Sequence, residues 1–111
     1  MIEATIIDYL SSALSVPVSG DVPENPPASF VTVEQVGGTK DNKIESASIA
    51  VQSWAESRAA AAALNELVKA AMDNAVTLPN ISRCHLDTNY NFTDETRKKP
   101  RYQAVFEVVF F

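Results

Sequence analysis

Hydrophobic and polar positions along the chain follow two periods, and the switches between them mark six elements. Ile2, Ile6, Tyr9, Leu10, Ala13 and Leu14 recur at spacings of three and four, which is one face of an amphipathic helix over 2–14. Glu3 and Asp8 lie in its first half, the side that the helix dipole favours. The helix is expected to stop before Val16-Pro17, because proline holds the preceding residue away from helical angles. Residues 15–29 carry four of the six prolines and read as a stiff, extended loop. Loops of this length are often functional or lie along a neighbour. Phe30 to Val36 is a strand by its β-branched content. Gly37 to Lys43 reads as a glycine-rich, charged turn. Ile44 to Ala55 then reads as a longer strand, with Ala47, Ile49 and Val51 on one face and Ala50, Gln52 and Trp54 on the other.

The period changes again at Ser57. From there to Asn74 the sequence predicts the clearest helix of the chain, with Ser57 as its N-cap. Leu64, Leu67, Val68, Ala71, Met72 and Ala75 are expected to form its buried stripe. The run Ala59 to Ala63 favours helix and permits close approach to a sheet or another helix. Val76 to Asn80 ends the helix and leads into a final hairpin. In its first strand Cys84, Leu86, Thr88, Tyr90 and Phe92 alternate with Arg83, His85, Asp87, Asn89 and Asn91. A strict period of two places Leu86, Tyr90 and Phe92 on one face. A charged tip, 93–100, precedes the strand 101–111. There Tyr102, Ala104, Phe106, Val108 and Phe110 form one face, and Val105, Val109 and Phe111 lie on the other. A strand apolar on both faces is expected to be central or covered by another subunit. The Phe110-Phe111 end favours the second.

These elements predict an α+β domain spanning 1–111. The expected architecture is a four-stranded antiparallel sheet of two hairpins, 30–36 with 44–55 and 82–92 with 101–111. Two helices pack on one face, in the order α-β-β-α-β-β. At 111 residues the chain can bury a core without disulfides or metal. Its single cysteine excludes an internal disulfide and reads as a reduced strand residue. No apolar run approaches a membrane span, and the first residues lack the features of a signal peptide. The expectation is a protein made and kept in a cytoplasm, or packed into a particle assembled there.

Chemistry is sparse. His85 stands two residues from Asp87, without a nucleophile placed beside them, and reads as an exposed strand pair. Cys84 and His85 are neighbours on a strand and face opposite sides, which excludes a nucleophile–base pair. One cysteine, one histidine and scattered carboxylates do not supply the three or four ligands of a metal site. Gly37-Gly38-Thr39-Lys40 lacks the strand–helix context of a phosphate loop. No catalytic, metal or cofactor residue is therefore expected. A net charge of −5 argues against general nucleic-acid binding. The cations are nevertheless clustered. Arg97, Lys98, Lys99 and Arg101 gather at the second tip, while Lys40 and Lys43 lie in the first. Such a tip is either a solvated turn that blunts a sheet edge or a contact with an acidic neighbour or passing DNA. Trp54 is either a packed strand-end aromatic or an interface anchor.

The order and spacing of these features resemble the tail-completion, or tail-terminator, proteins of tailed bacteriophages and prophages, and the resemblance covers nearly the whole chain. It runs through the short first helix and proline-rich loop, the strand Pro27 to Gly38, and a charged turn. It continues in the strand Ile49-Ala50-Val51-Gln52-Ser53-Trp54-Ala55, the alanine-rich helix from Ser57, and the closing strand Arg101-Tyr102-Gln103-Ala104-Val105-Phe106-Glu107. The resemblance implies a non-enzymatic head–tail connector component, a hexameric ring subunit that caps the tail tube and meets the head connector. Its partners would be further copies of itself, the tail-tube protein and a head-closure protein, with DNA passing through the ring and no membrane involved. It would reside in the virion tail or neck after assembly in the host cytoplasm. Trp54, the tip cations, Val105, Val109 and Phe111 are the candidate interface residues. Two other readings stay open: a related tail-tube or head-closure component, and a small dimeric α+β ligand-binding domain or enzyme.

Overall fold

The computed structural model describes residues 2–41, 44–93, 95, 96 and 99–111. It is a mixed α+β fold. Helix α1 spans Ile2–Ala13 and α2 spans Arg58–Asp73. The strands are β1 Val18–Ser19, β2 Phe30–Asp41, β3 Ile44–Trp54, β4 Ile81–Asn91 and β5 Arg101–Phe110. They form one sheet in the order β1-β2-β3-β5-β4. Both expected hairpins are present and antiparallel, and β3 also pairs antiparallel with β5. Hence β3 and β4 run parallel with β5 inserted between them, and α2 makes the crossover. This is a split β-α-β unit.

The sheet has five strands rather than the expected four. The added strand, β1, lies inside the proline-rich loop and pairs parallel with β2, Val18 opposite Val31 and Ser19 opposite Thr32. Proline breaks helix but does not prevent a short strand at a sheet edge. The first hairpin is also longer than its glycines imply. Pairing continues through Gly37 and Gly38 to Asp41 opposite Ile44, with a bulge between Gln35 and Gly37. Gly38 is needed there because a Cβ would stand 2.9 Å from the backbone oxygen of Ser46. The Glu3 carboxylate on α1 accepts a hydrogen bond from the Gln35 amide at 2.9 Å and so occupies part of the open edge of β2.

Both helices cover the same face of the sheet. Ile2, Ile6 and Leu10 of α1 and Leu64, Val68 and Met72 of α2 pack on Val31, Val33, Ile49, Val51, Ala104, Phe106 and Val108. Helix α2 begins where Ser57 Oγ accepts from the Ala60 amide at 3.0 Å. A single 3-10 turn over Ala75–Thr77 follows it. Its buried line runs through Ala61, Leu64, Asn65, Val68 and Met72. Leu67, expected in the stripe, is 58% exposed, because it lies one residue, about 100°, round the helix from Val68.

Asn65 occupies a buried position through a second departure from the expected pattern. A bulge between Leu86 and Thr88 shifts the register of β4. Leu86 stays opposite Phe106 on the helix-covered side. Beyond the bulge Asn89 comes opposite Ala104 on that side, and Tyr90 comes opposite Gln103. The Asn65 amide donates to Asn89 Oδ1. Leu86 therefore does not share a face with Tyr90 and Phe92, since one extra residue inverts the alternation.

Met72→Ala is expected to cost roughly 2–5 kcal/mol, the usual penalty for an emptied core position. Leu67→Ala should stay within about 0.5 kcal/mol, as surface changes do. Urea denaturation of the two variants separates them; equal destabilisation would contradict the placement of Leu67.

Candidate functional site

The second face of the sheet carries no helix. Its residues come from the positions that alternate with the core: Phe30, Thr32, Trp54, Gln52, Ala50, Arg101, Gln103, Val105, Val109, Tyr90 and Phe92. A chain of side-chain hydrogen bonds crosses it from β2 to β4. The Trp54 indole donates to Thr32 Oγ1 at 3.1 Å. The Thr32 hydroxyl donates to Gln52 Oε1 at 3.0 Å, and Gln52 Nε2 donates to Gln103 Oε1 at 2.7 Å. Gln103 Nε2 then donates to the Tyr90 hydroxyl oxygen at 2.6 Å. The bonds run in one direction, so each polarises the next.

An aromatic and cationic stack flanks this chain at one end of the sheet. Phe30 and Trp54 are parallel, with centroids 5.3 Å apart. The Arg101 guanidinium lies 4.6 Å from the Trp54 ring and 4.1 Å from the Phe92 ring. Its Nε donates to the Phe92 carbonyl at 2.7 Å. Lys99 Nζ stands 5.8 Å from the centre of Phe30. Trp54 is consequently only 1% exposed, buried within its own subunit on a face that no helix covers.

The candidate interface residues fall into separate places. Lys99, Arg101 and Trp54 are at the end where Phe30 pairs with Trp54 and Trp54 with Arg101. Lys40 is exposed near the opposite end, where Glu45 pairs with Phe110. Phe111, 70% exposed, lies at that end too. Val105 and Val109 are half-buried on the open face. The described cations of the two tips, Lys40 on one side and Lys99 and Arg101 on the other, thus lie at opposite ends of the sheet and do not combine into one site. Lys43, Arg97 and Lys98 lie outside the described residues. Sequence reasoning did not single out Thr32, Gln52, Gln103, Tyr90 and Phe92 as a group. The available signal was one glutamine in each of β3 and β5, on the face opposite the core positions.

The remaining polar groups do not converge. Cys84 packs against the helix-covered core, whereas His85 is opposite Glu107. Asp87 is the extra residue of the bulge and has no opposite number on β5. Among the described residues no three His, Cys, Asp or Glu side chains are placed to hold a metal ion. Burial, with Asp73 contributing, pushes the Cys84 thiol up to about 11. Burial, then Cys84, also raises Tyr9, whose hydroxyl donates to the Ala71 carbonyl at 2.6 Å. Tyr9, Leu14, Leu67 and Ala70 line an open groove of about 490 Å³ between the helices. No protein-family model matches the chain, and no curated protein sequence matches it.

Arg101→Ala is expected to destabilise the fold by about 1–3 kcal/mol, combining lost cation–π contacts and a lost charged donor. Trp54 emission should shift to the red and become more quenchable; unchanged emission would show that Arg101 does not cover the indole. Cys84 gives a separate expectation. Its folded value lies above its ordinary 9.0, so the protonated thiol favours the folded state. That contribution is complete below about pH 9 and is lost as pH rises through about 11. Cys84→Ala should flatten this part of a stability–pH curve recorded by urea denaturation, and a curve unchanged by the substitution would contradict it.

Proposed function

We propose that this protein is a structural subunit of a phage-type particle, a ring-forming tail-terminator or tail-completion component that caps the tail tube and joins it to the head connector. The observation that carries the reading is the uncovered sheet face. Its central polar side chains are bonded to one another, from Trp54 through Thr32, Gln52 and Gln103 to Tyr90. A neighbour can cover this central stretch without stranding its polar groups, so the desolvation cost there is low, while the exposed Glu107 on the same face needs a partner of its own. Val105 lies beside the chain and adds apolar area, and Val109 adds more towards the far end of β5.

The distribution of exposed apolar side chains supports the same reading. Leu86 and Tyr90 are exposed on β4 with Phe92 just after it, and Val36 and Ile44 on the β2–β3 hairpin. These strands are on opposite sides of β5 in the sheet. Two unlike surfaces on opposite sides favour head-to-tail association, which closes into a ring or continues as a filament. The order helix, hairpin, helix, hairpin, with the tryptophan at the end of β3, accords with the tail-terminator resemblance. A tail-tube or head-closure component would use the same surfaces. The groove between the helices is the place where a ligand-binding alternative would have to act.

Light scattering and negative-stain imaging of the purified chain, alone and with tail tubes, test the proposal. The expected result is a ring, free or at the tube end, that restores head attachment to tails lacking it. Phe111→Asp should weaken association while leaving the helical circular dichroism intact. A chain that stays monomeric at every concentration and salt, and also with tail tubes present, sinks the ring reading.

A further inference from the structure

We propose that Tyr90 and Phe92 receive the proline-rich segment 24–28 of a second copy of this chain. The inference rests on the ring-subunit reading and assigns one of its contacts. The two rings meet edge to face with centroids 5.6 Å apart. They are 43% and 41% exposed, on the outer strand of the sheet. Apolar area of this kind in a fixed arrangement is a place for a partner, and aromatic troughs are the surfaces that take proline rings. Arg101, held 4.1 Å from the Phe92 ring, puts a fixed positive charge beside the trough.

The occupant follows from chemistry and from position. Glu24, Asn25, Pro26, Pro27 and Ala28 are all exposed and belong to no helix or strand. Pro26-Pro27 fixes the backbone near an extended conformation, so little freedom is lost on docking. The ionisable groups between 15 and 29 are Asp21 and Glu24, both acidic and complementary to Arg101. The segment leads into β2, while the aromatic pair is on β4, three strand spacings or about 14 Å across the sheet. Both are at the Trp54 end, because Phe30 pairs with Trp54 and Trp54 with Arg101. A donor at one side and a receiver at the other join copies head to tail, the arrangement that a closed ring requires.

The test is complementation between two variants, read by sedimentation velocity and light scattering. One variant, Glu24→Lys with Pro26→Gly and Pro27→Gly, spoils the segment; the other, Tyr90→Ser with Phe92→Ser, spoils the trough. Unshifted emission of Trp54 would confirm that the segment variant is folded, and circular dichroism checks the other. Each variant alone is expected to lose assembly where the wild type assembles. Mixed in equal amounts they should form a dimer that grows no further, about twice 12.1 kDa, since one intact segment and one intact trough remain. If the wild type assembles and both folded variants assemble equally well, this contact is wrong while the ring reading stands. A wild type that never assembles overturns both. Monomers that capture a single-stranded oligonucleotide through Tyr90 and Phe92 would assign the trough to a different class of partner and overturn the proposal.

Discussion

Two helices cover one side of a five-stranded sheet and leave the other side to settle its own polar groups. That constraint accounts for the arrangement on the open face. A half-buried glutamine at the centre of a sheet would otherwise compete for water against apolar neighbours. Here Gln52 and Gln103 are directly opposite each other on the two central strands and bond to one another. Thr32 and Tyr90 take up the outer ends of the chain. Trp54 is covered by Phe30 and Arg101 in place of a helix.

The parts of the fold legible in the sequence were those in which one period runs unbroken over a whole element. Helix α1, helix α2 and the inner strands β3 and β5 follow from such patterns, and the two hairpins were placed by them. What escaped depended on residues distant in sequence or on a single residue that breaks a period. β1 has only two residues and exists because β2 offers it an edge. The bulge at Asp87 leaves the composition of β4 unchanged while reversing its faces, so Tyr90 and Phe92 part from Leu86. An apolar template selects Leu67 over Asn65, yet Asn65 is buried because Asn89 supplies a partner across the sheet. The glycines at 37 and 38 read as a turn, but the strand passes through them.

The candidate site was legible only in pieces. The cation cluster and the tryptophan were visible as residue types, but not their geometry. Arg101 belongs to the tip in sequence and to the aromatic stack in space, sandwiched between Trp54 and Phe92. A charge that the sequence offered as a solvated turn or an intermolecular contact is thus part of the cover over a buried indole. Lys40 and Lys99, one from each charged stretch, are separated by the strand length of the sheet.

The insertion of β5 between β3 and β4 has a kinetic consequence. Although β5 is the last strand in sequence, it is an inner strand of the sheet, hydrogen-bonded on both sides. During synthesis β3 and α2 emerge well before the strand that joins β3 to β4. Until it arrives, one edge of β3 and the inner edge of β4 are open templates for another chain. The sheet therefore assembles through non-local pairing that waits for β5 to follow β4 out, the slow and aggregation-exposed route. Nascent chains held close together on one message would be the most exposed, because each offers the edge that its neighbour's β5 could fill.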